Sequence, residues 1–447
     1  MRLHLFLVII SATMASAQSY DPGNGPSILS RGGSAGTRGT EPAVLTFSAG
    51  VTGIYDNGLG ALTLTPEGIS NQESAEGVEA NASLFGVHQW RRSSLGVSYA
   101  GSYVQYVGNS LYNGTSQSLS LNFGTQHSKR LTSKYNLAAG TSNRPYGGVG
   151  GLYGVGGVGG QNFVDPNFLA VPVQELFNNR VNYVQGGVGL VYNKSNRLSF
   201  GLNASGYGVR REAKGLGGLN GYSGNADISY RMNKRSTVSI TYSFTHMEYP
   251  GAFGASDMHG MGAGYGRSFG RYWQLSVSGQ VVRLESLGLA RVELDPIVAS
   301  LLGQTSGVEA FYRLNFIPAF SASVSRGMRR SNLSFSASKG ITPGNGLFLT
   351  SQQTSYGGSY TYSGIRHWSL QASGGYSELS SLTRTAGKYK GVSAGFGATR
   401  DIFRTIHFTS RWDFRDQLIQ TSSFTRSGSR VSVGLAWSSR SLPLAIW

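Results

Sequence analysis

Cysteine is absent from all 447 residues, which removes disulfide frameworks, thiolate metal sites and a lipid-anchored N-terminal cysteine. Charged residues are scarce at 13%, and acids are scarcer than bases, 21 against 38. The helix builders Ala, Glu, Lys and Leu are also few beside Gly, Ser, Thr and the aromatics, so the chain is expected to be almost all β. Past residue 17 no apolar run approaches the ~20 residues of a transmembrane helix, so a membrane crossing would require a closed barrel of strands. There is no GxSxG elbow, no HExxH and no paired-carboxylate motif. Six His beyond the N-terminal segment (88, 127, 246, 259, 367 and 407), with abundant Ser and some Asp, permit a Ser-His-Asp set by composition, but no spacing supports one. The expectation is no enzyme, no catalytic residue, no metal and no cofactor.

What is present begins with an export signal. Arg2 and His4 precede the apolar run Leu5 to Ile10, and Ala15-Ser16-Ala17 offers a small-residue cleavage site, so residues 1–17 read as a cleaved secretory signal. Residues 18–42, rich in Gly, Ser and Pro, read as a flexible periplasmic tail too short to fold as a plug. The formal charge of +17 is dispersed at strand ends rather than gathered on one face. That pattern argues against nucleic acid and for pairing with anionic lipid headgroups.

The strongest signal is period-2 alternation. Val238, Ile240, Tyr242 and Phe244 alternate with Thr237, Ser239, Thr241, Ser243 and Thr245. Trp273, Leu275, Val277 and Val281 alternate with Gln274, Ser276, Ser278 and Gln280, and the pattern recurs around Leu121, Phe335, Leu370 and Val433. Soluble strands average about five or six residues, whereas these runs reach ten to thirteen. Eight short basic turns join them: Arg91-Arg92, Lys129-Arg130, Lys194 to Arg197, Lys234-Arg235, Gly270-Arg271, Arg329-Arg330, Gly364 to His367 and Phe403-Arg404. Longer segments at 56–75, 143–180, 249–256, 285–316 and 417–427 lie between them. The fold expected is a transmembrane antiparallel up-and-down β-barrel over residues 43–437 with about 18 strands, 16 being the alternative count. Residues 438–447 would be a C-terminal periplasmic tail.

Alternating strands, short basic turns and a signal peptide resemble the porin superfamily of outer-membrane barrels. The closing strand Arg430 to Trp437 ends on an aromatic, similar to the insertion signal read by the barrel-assembly machinery. The resemblance implies a cell outer membrane location and, as partners, outer-membrane lipids, periplasmic chaperones, that machinery and small solutes, with homo-oligomers allowed. Its implied function is a pore for passive diffusion of small hydrophilic solutes. The alternatives are an exit port for an exopolysaccharide or other export system, which 18-stranded arginine-lined barrels resemble, or a structural or adhesive barrel displaying loops.

Two loops invite a constriction. Gly147 begins a glycine run containing Tyr153, and Phe163, Asp165, Phe168 and Glu175 continue into an amphipathic stretch expected to be helical. Asp295-Pro296 opens IVASLLG, a second short helix stopped by Gly303. Either would fold into the lumen or cap the rim. Glu67, Glu73, Glu76 and Glu79 match no calcium loop and read as a solvated acidic patch. On 405–415 the apolar set Ile406, Phe408, Trp412 and Phe414 would face lipid, turning His407, Arg411, Asp413 and Arg415 into the pore, where Arg430 joins them. Arginines opposed only by Asp413 would favour anions, unless they pair with further carboxylates.

Overall fold

The computed structural model describes residues 43–59, 73–108, 112–142, 180–212, 216–251, 254–270, 272–293, 306–343, 349–382, 388–419, 424–439 and 442–444. These form β1 (Ala43–Leu59), β2 (Glu73–Gln89), β3 (Ser93–Tyr106), β4 (Gly114–Gln126), β5 (Leu131–Ser142), β6 (Val181–Asn193), β7 (Leu198–Arg211), β8 (Leu219–Asn233), β9 (Ser236–Glu248) and β10 (Gly254–Phe269). The wall continues through β11 (Trp273–Glu293), β12 (Ser306–Gly327), β13 (Ser331–Thr342), β14 (Ser351–Tyr362), β15 (Trp368–Ser381), β16 (Lys388–Asp401), β17 (Ile406–Ile419), β18 (Phe424–Ser438) and the short β19 (Leu442–Leu444).

Each strand pairs antiparallel with the next, and β1 pairs with β18 from Ser48↔Ser438 to Asp56↔Arg430, so eighteen strands close into a barrel. β19 continues the same edge, with Leu45 opposite Leu442. Three steps along β1 therefore face four along the partner, a one-residue shift in register between β18 and β19. All eight basic turns fall between consecutive strands on one rim, the periplasmic rim by the usual asymmetry of such barrels. Two of those turns need left-handed backbone: Gly270 adopts φ 62°, and His367 takes φ 64° without glycine's freedom.

The connection expected at 285–316 is mostly strand. β11 runs on to Glu293 and β12 starts at Ser306, leaving 294–305, with the expected Asp295 helix, outside the described residues. The apolar alternation fails there because Arg283 and Glu285 take outward positions above the lipid, where they pair with each other and Tyr312 donates to Glu285 at 2.6 Å. β13 pairs with β12 only up to Phe320↔Lys339, and Pro318, which has no N–H for a ladder, sits just past that point.

Register sorts the two faces. Ile240, Tyr242, Val277, Phe396 and Leu435 point outward and are exposed, Ile240 at 53%, whereas Thr241 on the other face is 9% exposed. Exposed apolar side chains all round a closed wall are what lipid requires. At the short-turn rim Arg267 lies over Phe269 at 4.8 Å, Arg326 over Trp273 at 5.0 Å and Arg400 over Trp368 at 5.4 Å. Basic heads above aromatic rings suit the headgroup level and account for part of the cationic excess.

The inner face is a hydroxyl ladder. Directly opposed serines bond across strands: Ser48 with Ser83 at 2.6 Å, and Ser98 with Ser120, Ser205 with Ser223, Ser276 with Ser323 and Ser334 with Ser359 at 2.7 Å. Larger inner side chains lie along the wall over glycines of the neighbouring strand. A Cβ on Gly189 would meet Asn203 Oδ1 at 2.6 Å, one on Gly395 would meet Asp413 Oδ1 at 2.9 Å, and Gly201 is covered by Asp227 in the same way.

Candidate functional site

The long-loop rim is built differently from the serine wall beneath it. Thr350, in the connection before β14, is fully buried, and its Oγ1 lies 2.9 Å from Tyr249 Oη and 2.5 Å from Ser256 Oγ. β10, which carries Ser256, is four strands from β14 around the wall, so this link spans the interior. Leu349 is buried in an apolar cluster with Val181, Tyr183, Val209, Leu219, Met247 and Tyr249, inward positions at the outer ends of β6 to β9 and just beyond. Burial raises the Tyr249 phenol above its ordinary range, so it stays neutral and able to donate. Ser351 Oγ donates to the Leu349 carbonyl at 2.8 Å and the Leu382 N–H to that of Thr350 at 2.9 Å, which ties the segment to the heads of β14 and β15.

A second inward cluster, Ile54, Leu59, Val104, Tyr106 and Tyr112, lines the same rim beneath β1 and β3. Tyr112 comes from the β3–β4 connection, which the Tyr106 N–H fastens by donating to Asn113 Oδ1 at 2.7 Å. Two inward segments at this rim are thus 349–350 and 112–113. Neither was singled out by sequence, because a short run of Leu, Thr or Tyr beside glycine and proline reads as any surface loop. The expected constriction residues Gly147, Tyr153, Phe163, Asp165, Phe168 and Glu175 lie outside the described residues.

Along the seam where β18 meets β1, charges alternate. Arg411 grips Asp413 in a two-point contact through one guanidinium edge, Nε to Oδ2 at 2.6 Å and Nη2 to Oδ1 at 2.7 Å. Arg430, opposite both Asp413 and Asp56 in register, pairs with Glu79 of β2. The expectation that Asp413 alone opposes the arginines is therefore corrected. Barrel closure brings a carboxylate from 351 positions away to Arg430, a contact no local pattern announces. Glu79 likewise leaves the expected solvated acidic patch for the inner wall. Arg415 occupies the next inward position on β17.

His407 is on the inner face at the opposite rim and only 3% exposed. Its Nδ1 is 2.7 Å from Asp401 Oδ1 and its Nε2 2.8 Å from Ser438 Oγ, the connectivity of a Ser-His-Asp relay. The N–H of Ser438 is spent on the Thr405 carbonyl and that of Ser439 on the Phe47 carbonyl. An acyl-transfer site needs donors for an oxyanion, and these two are bonded within the wall. We read the trio as a clasp joining β16, β17 and β18.

A closed wall with apolar residues outside and hydroxyls inside defines the class: a transmembrane antiparallel β-barrel of the outer-membrane type. No family model matches the chain, and no curated protein sequence does. Among solved structures it is similar in fold to OpdQ of Pseudomonas aeruginosa, at 12% identity over 89% of this chain and 98% of that one, TM-score 0.40. OccAB3 of Acinetobacter baumannii has 9% identity over 89% and 99%, TM-score 0.41. OccK2 of P. aeruginosa, solved in complex with glucuronate, has 12% identity over 89% and 98%, TM-score 0.44.

Proposed function

We propose that the barrel is a non-enzymatic pore for passive diffusion of small hydrophilic solutes, narrowed at its outer mouth by the Leu349–Thr350 segment. The observation that supports this most is the change along the inner wall from serine and glycine to an apolar collar at one rim. A wall of eighteen strands is in the range that encloses water rather than a packed core. Hydroxyls keep that water in contact with the wall, and the collar limits what passes. The finer preference for anions is proposed in weak form, since carboxylates hold Arg411 and Arg430. Periplasmic chaperones and the barrel-assembly machinery would handle the exported chain.

The test is single-channel recording in planar bilayers. A Leu349→Ser, Thr350→Ala double variant should conduct more than wild type while keeping the heat-modifiable mobility of a folded barrel. Equal conductance would remove the segment from the path, and no conductance from either protein would end the pore reading.

A further inference from the structure

The outer wall carries a dent. Its centre is one row of paired residues, Leu137↔Gly186↔Gly206↔Tyr222↔His246, running from β5 to β9. The row above it reads Val184, Gly208, Asn220 and Glu248. These residues line a groove of about 480 Å³. Its floor is glycine because a side chain there would fill it. A Cβ on Gly206 would meet nothing closer than the Gly221 carbonyl at 3.8 Å, and one on Gly224, a row below, would meet nothing within 4 Å. Leu137 and Tyr222, 49% and 54% exposed, stand as ridges on either side.

Position, and the arginines just beyond its Glu248 end, point to what fills it. The row lies among outward residues of the lipid-facing wall, so the dent opens toward acyl chains at its lower end. Its upper end is polar. Arg210, exposed and outward on β7, lies one outward position beyond Gly208. Arg180 stands beside it, 3.8 Å from Glu212. His246 stacks on Tyr222 at 5.0 Å and is held through Nδ1 by Asp257 at 2.6 Å. The floor is two strands wide, about 10 Å. A single hydrocarbon chain enters such a slot, whereas the convex wall of a second barrel cannot follow it.

We propose that this groove holds an acyl chain of a phosphate-bearing outer-leaflet lipid, with the phosphate at Arg210. Lipid tails are as apolar as the groove, so selection comes from fit of the chain between the ridges and from the headgroup, not from hydrophobicity. The proposal concerns the outer face and is independent of any solute path inside.

Native mass spectrometry of the full barrel released from mixed micelles tests it, with dioleoyl phosphatidic acid and dioleoylglycerol as probes that differ only in the phosphate. Wild type should retain phosphatidic acid in preference to dioleoylglycerol, and inorganic phosphate should not displace it. Gly206→Leu with Gly224→Leu should lose the retained lipid while the heat-modifiable band persists, and Arg210→Ser should lose the preference but keep the chain. Retention unchanged in the filled variant, no retained lipid in wild type, or a wild-type oligomer that the filled variant dissociates without any lipid released would each overturn the assignment.

Discussion

On the inner face Gly189, Gly201 and Gly395 lie beneath Asn203, Asp227 and Asp413 of neighbouring strands, whereas on the outer face Gly206 and Gly224 have no side chain over them. One residue type thus performs opposite tasks on the two sides of one wall. Inside, a polar side chain gains partners by lying sideways along the sheet, and a glycine next door makes room for it, so bulk stays out of the lumen. Outside, apolar side chains such as Ile240 and Val281 stand into the lipid, and where no neighbouring ring lies over the glycine, as Phe335 lies over Gly358, the missing side chain leaves a hollow.

The largest break of this contrast is a charge on each side of β9. Ile240→Arg puts a cation on the lipid face and should block assembly, at a cost of ~2 to 4 kcal/mol near the bilayer midplane. Thr241→Arg points inward, beside its register partner Asp227, and should assemble. Equal yields of heat-modifiable barrel from the two variants would erase the distinction between the faces.

A smaller test uses glycine itself. Gly201→Val drives a branched side chain into Asp227, and overpacking of this kind costs roughly 1 to 3 kcal/mol. Gly224→Val meets open space and adds a strand-favouring residue. Urea unfolding from liposomes should give a lower midpoint for the first variant and an unchanged or higher one for the second. The reverse order would mean that the inner side chains do not depend on the glycines beneath them.

The strand faces and all eight basic turns were legible in the sequence because both depend on local pattern, period 2 in Ser236–Glu248 and Lys234-Arg235 before it. The length of the β11–β12 hairpin was not, since Arg283 and Glu285 break the apolar period once the strand leaves lipid. The Arg430–Glu79 pair and the Thr350 link to Tyr249 and Ser256 were hidden for another reason. Each joins residues that only closure of the barrel, or a segment crossing it, brings together. Covered glycines were equally silent, because the sequence shows the glycine but not which neighbour lies over it.

The smallest expected effect concerns the charged seam, where pairing along the inner face mutes the field of its arginines. Arg411 and Asp413 are 35% and 25% exposed, so each is partly screened by water, and their two-point contact leaves little net charge beyond the pair. Arg430 and Glu79, at 11% and 16%, are similarly self-cancelling. A lumen charged this way should show only a weak anion preference in a salt gradient. Asp413→Asn removes the countercharge while leaving Arg411 inward, so the reversal potential should move further toward anions. Arg411→Ser with Arg415→Ser leaves Asp413 without its arginine and should move it toward cations. Because a low-dielectric wall focuses whatever charge is uncompensated, the two variants should bracket wild type. Identical reversal potentials in all three proteins would place the seam outside the ion path, and a wild-type pore already selective for cations would reverse the sign assigned to it.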